Sequence, residues 1–162
     1  MTSPAVDVDS ATRDFFKLHW SDLEIGCSPP RWRTWDRSGR PDEAELGGCY
    51  AIYEGAELLY VGVAVTEGKN ASQGKKYGLL SRLQRHVLKR SLDAEGRYPP
   101  LDRKGKEHWA NLDCIRMIGF PAGQRYLAAA LEVYLISRLQ PKINVQARWV
   151  REAKASTANL LS

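Results

Sequence analysis

Three features of the sequence predict an α+β fold, a small central mixed or antiparallel sheet flanked by helices. Two short runs rich in aromatic and β-branched residues, 48–53 (GCYAIY) and 58–63 (LLYVGV), enclose the turn sequence EGAE with Gly55 at its centre. That is the pattern of a β-hairpin. Residues 112–120 (LDCIRMIGF) read as a further strand. Helical periodicity brackets that strand. Residues 78–92 carry an apolar stripe of Leu79, Leu80, Leu83 and Val87, and residues 122–140 place Leu127, Leu131, Leu135 and Leu139 at regular spacing before Pro141 stops the helix.

The remaining elements follow in order. Residues 1–9 are expected to be disordered. Ser10 is the candidate cap of a short helix running to His19, with Phe15, Phe16, Leu18 and Trp20 for packing. Pro29 and Pro30 end it. Residues 30–40 (PRWRTWDRSGR) alternate aromatic and basic side chains in a loop, and residues 42–46 form an acidic linker. A hairpin symmetric about Gly55 sets Tyr50 opposite Tyr60, so the two phenols share a face. Residues 66–77 and 93–107 are polar loops. Arg82 and His86, four apart, stack on one helix face. Residues 142–149 are a candidate last strand. The division is thus a partly helical N-terminal extension (1–46), one folded domain (47–149) and a flexible tail (150–162).

Bulk properties narrow the function. The chain has 162 residues, about 43% of them apolar, and no apolar run of membrane-spanning length. Residues 1–13 lack the basic start and apolar stretch of a secretory signal, so a cytoplasmic protein with no membrane partner is expected. Cys27, Cys49 and Cys114 form no CxxC pair, and His19, His86 and His108 complete no zinc spacing with them. The net charge of +5 is unevenly spread. Residues 75–108 hold ten Lys and Arg against four Asp and Glu, while the rest holds fourteen against fifteen. A concentrated basic segment suits a polyanion binder, although a solvated basic helix face has the same composition.

The order hairpin, helix, strand, long helix and PxxN, with the residues at those places, resembles the GIY-YIG nuclease family. Gly48-Cys49-Tyr50 is similar to the family's first motif, and Tyr60-Val61-Gly62, ten residues on, to its second. Arg82 and His86 match the Arg and His/Tyr pair of the first helix. Glu132, within LEVYLISRL, matches the single metal-binding carboxylate, and Asn144, within PKIN, matches the supporting Asn. The resemblance covers about residues 47–146. Cys49 stands where the family usually has Ile. Nineteen residues separate Gly62 from Arg82, an arrangement closer to the restriction-endonuclease-like members than to the repair excinuclease subunits.

The resemblance implies an endonuclease that hydrolyses DNA with Mg2+ or Mn2+, through Tyr50, Tyr60, Arg82 and His86 as catalytic residues and Glu132 as metal ligand, with Gly62 and Asn144 as support. The chemistry is coherent. Magnesium keeps most of its waters and binds through one or two carboxylates plus phosphate, so one glutamate suffices. Arg82 offers a planar fork for phosphate oxygens. His86 suits proton transfer or orientation of a phenol. Tyr50 is the residue implied to activate water; a free phenol has a pKa near ~10, so the metal, Arg82 and Tyr60 are expected to ease its ionisation. Gly62 is expected to let the backbone approach substrate. Lys69, Lys75, Lys76, Arg85, Lys89 and Arg90 are candidate phosphate contacts. Both tyrosine hydroxyls are expected to face one groove holding Arg82 and Glu132, and a Glu132 on the opposite side of the sheet from Tyr50 would defeat the nuclease reading. The alternative is a weak or inactive nucleic-acid-binding module of the same fold. Charge and site residues leave RNA open as a substrate, and target sequence and oligomeric state are not written in the chain.

Overall fold

In the computed structural model, residues 7–65, 78–102 and 109–145 are described. The expectations for residues 1–6, for the 66–77 loop with Lys69, Lys75 and Lys76, for residues 103–108 and for everything after 145 lie outside them.

Helix α1 (Val8–His19) starts one turn earlier than its sequence suggests. Asp7 caps it, its carboxylate accepting from the Ser10 N–H at 2.7 Å, so Ser10 lies in the first turn instead of before it. Phe15 and Phe16 pack inward, whereas Leu18 is 73% exposed. A single turn, α2 (Asp22–Ile25), follows and ends on Gly26 in the left-handed region.

The 30–40 segment contains a strand, β1 (Arg33–Trp35), where a loop was expected. Its neighbouring tryptophans explain it. Trp32 and Trp35 are both buried, and the Trp32 indole donates to Thr12 Oγ1 of α1 at 2.8 Å. Burial of both rings holds the intervening backbone extended against the sheet.

Strands β2 (Gly47–Glu54) and β3 (Glu57–Ala64) form the hairpin, and β4 (Cys114–Phe120) completes a four-stranded antiparallel sheet of order β1-β4-β2-β3. The hairpin register departs from simple symmetry. Glu54 pairs with Glu57 and Tyr53 with Leu58, but a bulge between Ile52 and Tyr53 then shifts the pairing. Tyr60 consequently faces Ile52, and Tyr50 faces Gly62. An extra residue on one strand offsets every pair beyond it.

The two sheet faces build two apolar clusters. Cys49, Ala51, Val61, Ile118 and Phe120 point to the face covered by α1 and α4 (Arg125–Leu139). Tyr50, Ile52, Ile115 and Met117 point to the other, covered by α3 (Leu79–His86), Trp109 and Leu112. A 3-10 turn, Ala122–Gln124, leads into α4. The 1–46 segment is therefore continuous with the core, since α1 packs on α4 and β1 pairs with β4.

Two expectations need correction. Helix α3 ends at His86, not near 92, because residues 87–89 leave it to bond with 99–101: Lys89 N donates to Pro99 O and Leu101 N to Val87 O, each at 2.8 Å. Residues 142–145 are helical instead of extended, with Val145 N donating to Pro141 O at 3.0 Å. No helix among the described residues is long and apolar enough to cross a membrane.

Candidate functional site

Among the described residues Tyr50 is the largest fully buried side chain, only 1% exposed. Its ring crosses the neighbouring edge strand at Gly62. A Cβ added there would lie 2.4 Å from Tyr50 Cζ and 2.5 Å from its hydroxyl, far inside contact distance. Glycine at 62 thus makes room for the Tyr50 ring, which differs from the expected approach of substrate to backbone. A glycine is required at 48 for a similar reason, because a Cβ there would meet Ile118 O of β4 at 2.0 Å. Tyr60 lies beside Tyr50, ring centroids 6.0 Å apart, so the phenols are neighbours despite the shifted register.

The register of α3 depends on residues 42–46. Gly78 provides no side-chain cap, and the orphan N–H groups of Leu79 and Leu80 donate instead to Leu46 O and Ala44 O, each at 3.1 Å. The supposed linker is in fact the N-terminal support of the helix that carries Arg82. Arg82, exposed on that helix, hydrogen-bonds the Tyr50 hydroxyl. His86 follows one turn later. Its carbonyl accepts from the Trp109 indole at 3.2 Å, and the Trp109 ring meets Tyr60 edge-on at 5.5 Å.

Glu132 approaches from below. Its helix, α4, covers the face opposite Tyr50, so the expected single groove is not formed; the helix that carries Glu132 lies on the side of the sheet set against the nuclease reading, and the groups meet only around the β3 edge. The carboxylate is nonetheless within electrostatic reach of both partners: its charge raises the Tyr50 pKa, and Arg82 favours its ionised form. The edge strand β3 lies over α4 and under the Tyr50 hydroxyl. Asn144 seals that edge. Its amide accepts from Val61 N at 2.8 Å and donates to Val61 O at 2.9 Å, as a neighbouring strand would.

Burial sets the protonation states. Desolvation pushes the Tyr50 phenol well above its ordinary range, and Tyr60 and Glu132 push it further, outweighing Arg82. Tyr60 therefore opposes ionisation of Tyr50, contrary to expectation, and Tyr50 keeps its proton at neutral pH. Glu132, half-buried, has its carboxyl raised by desolvation, with Arg82 acting the other way. Among the described residues Glu132 joins no ion pair, and no group of three or more His, Cys, Asp or Glu could hold a metal.

The structure thus draws Tyr50, Tyr60, Gly62, Arg82, Glu132 and Asn144 to one edge of the sheet, while His86, expected there as a catalytic side chain, is tied to it by its backbone carbonyl through Trp109. Arg85 stands in the last turn of α3, and Lys89 and Arg90 lie just beyond the helix, around a separate cavity. Trp109, 3% exposed, was not singled out from the sequence; one Trp in a polar stretch carries no periodic signal. No family model, curated protein or solved structure compared with the chain matches it.

Proposed function

We propose that the chain is a metal-dependent endonuclease of the GIY-YIG type, cutting DNA phosphodiester bonds at the β3 edge. The observation that carries the reading is convergence. Side chains from four separated elements meet there: a phenol from β2, a second from β3, a guanidinium from α3 and a carboxylate from α4. An arginine, a buried phenol and one desolvated carboxylate together suit phosphodiester chemistry better than structural packing.

A divalent cation fits Glu132. The carboxylate is desolvated and without an ionic partner among the described residues, so an adjacent positive charge would offset its burial. With one carboxylate on offer, water and substrate phosphate must complete the shell, which suits magnesium or manganese. When bound, the ion supplies neutralisation of phosphate charge and stabilisation of the leaving oxygen. Arg82 binds the phosphate and opposes the charge that develops on it. Tyr50, hydrogen-bonded to Arg82, orients the attacking water through its hydroxyl; it takes up the water's proton only as the phenolate, after its own proton has passed to solvent once added positive charge outweighs its burial. Tyr60 walls the Tyr50 ring, and Asn144 holds the edge strand in place.

Two observations favour a second reading, a module that binds nucleic acid without cutting it: the helix that carries Glu132 packs on the sheet face opposite Tyr50, and Tyr50 is held protonated. Burial holds the Tyr50 proton tightly, and the nearby Glu132 charge reinforces this. A nicking assay on supercoiled plasmid, linear duplex, single strand and RNA separates the two. Cleavage with magnesium and none in EDTA supports the nuclease. Binding without cleavage under any metal supports the module.

A further inference from the structure

At the C-terminal end of α3, Arg85, Lys89 and Arg90 surround an open cavity of about 610 Å³, together with Gln84 and a floor of Leu88 and Leu101. The floor is held by backbone pairing. Leu88 bridges Pro100, and the bonds from Lys89 N to Pro99 O and from Leu101 N to Val87 O flank it. Leu88 is fully buried and Leu101 is 9% exposed, so the floor is part of the core and does not shift with the surface.

Three cations face this cavity against one carboxylate, Asp102, which lies 4.0 Å from Lys89 Nζ. That pair is solvent-exposed and neutralises little. Among the described residues neither Arg85 nor Arg90 joins an ion pair. Guanidinium groups gathered around a concave surface suit a phosphate, which they bind in forked pairs. A lone phosphate leaves most of the cavity empty, and volumes in this range hold a small organic molecule. Leu88 is fully buried, so the apolar surface offered to a base ring comes from Leu101 and the methylene stems of Arg85 and Lys89, and the Gln84 amide, donor and acceptor together, suits a base edge.

We infer that this cavity holds one nucleotide unit, its phosphate on Arg85, Lys89 and Arg90 and its base over Leu101 and the neighbouring side-chain stems. Arg85 is three residues beyond Arg82 and next to it on the helix surface. A strand with one phosphate on Arg82 therefore reaches the cavity by continuing along α3. The inference rests on the nucleic-acid part of the function proposed above and not on its chemistry.

The test uses the full chain in EDTA, so that binding is read without cleavage. The probes are a ten-residue thymidine oligonucleotide, free dAMP and inorganic pyrophosphate. The variants are Arg85→Ala/Arg90→Ala and Gln84→Ala, with circular dichroism to confirm folding. The double variant should weaken oligonucleotide binding at least about tenfold and flatten its salt dependence by roughly 0.7 per lost phosphate contact. Gln84→Ala should weaken it about two- to fivefold with the slope unchanged. Loss of the oligonucleotide alone identifies a nucleotide within a strand, and loss of dAMP as well identifies a free nucleotide as a second source. Wild-type binding of both probes by the double variant would overturn the inference. So would pyrophosphate binding as tightly as dAMP together with no effect of Gln84→Ala, since only a phosphate patch would remain. Strand binding here by a chain that never cuts would remove the nuclease reading and leave the nucleotide cavity standing.

Discussion

At one edge of the sheet β1 contributes three residues, with Arg33 and Thr34 exposed and Trp35 turned into the core. At the other, β3 contributes eight, with Tyr50 crossing above it, α4 beneath it and the Asn144 amide on its outer backbone. An open edge invites pairing with other chains, and the two edges avoid this differently. The β1 edge is short, and its Arg33 is drawn to Glu43 at 3.1 Å. The β3 edge is long and is closed by side chains from distant elements. Closing it brings a phenol, a guanidinium and a carboxylate into range of one another. The β1 edge calls for no chemistry, whereas the β3 edge holds groups whose pKa values burial has raised, which is where functional sites tend to lie.

The largest difference between the edges should appear in activity. Arg82→Ala should lower cleavage by at least on the order of a hundredfold, the scale for losing one group that stabilises developing charge. Arg82→Lys should rescue it only in part, because an ammonium lacks the fork. Near-normal turnover of Arg82→Ala in a single-turnover assay would remove it from the site.

Stability should separate the edges next. Gly62→Ala forces the Tyr50 ring from its place and should cost about 1–3 kcal/mol in denaturant unfolding. Asn144→Ala removes two hydrogen bonds from β3 and should cost about 1–2 kcal/mol in the same measurement. Thr34→Ala at the exposed β1 edge should stay within about 0.5 kcal/mol. Equal costs at both edges would mean that the β3 closure is not special.

The smallest effect is in titration. Tyr50 has its folded pKa raised, so its contribution to stability is full below the unfolded value near ~10 and is lost as pH climbs through the folded one. In an alkaline absorbance titration one tyrosine should ionise last, and Tyr50→Phe should remove that late step. The Glu132 carboxyl is also raised, so its stabilising contribution is full below the ordinary glutamate value of 4.5 and is lost as pH rises through the folded pKa. Glu132→Gln should therefore hold or raise the melting temperature at neutral pH.

Much of the fold was legible because its elements are strongly patterned. The Leu127, Leu131 and Leu135 spacing marked α4, and the two aromatic runs around Gly55 marked the hairpin. The misreadings share a cause, which is dependence on partners distant in sequence. Residues 33–35 are extended because Trp32 and Trp35 are buried, and residues 44–46 are ordered because they receive the first N–H groups of α3. The bulge that moves Tyr60 from Tyr50 to Ile52 leaves no mark in residue types. At the candidate site the resemblance named residues that do converge, but it could not show that Glu132 reaches Tyr50 from the opposite face. The role of Gly62 as space for a ring follows from the same register shift.

Glu132→Gln tests the edge site most directly, because Glu132 is the only acid within α4 and no neighbour on that helix can replace it. The substitution keeps size and hydrogen bonding while removing the charge that would hold a cation. Two quantities are measured on the variant, DNA binding without metal and cleavage with excess magnesium or manganese. A site of this kind predicts binding held or strengthened, since a negative charge near phosphate is gone, and cleavage reduced by at least about a hundredfold. Wild-type cleavage by the variant, or full activity of the native chain in EDTA, would contradict it.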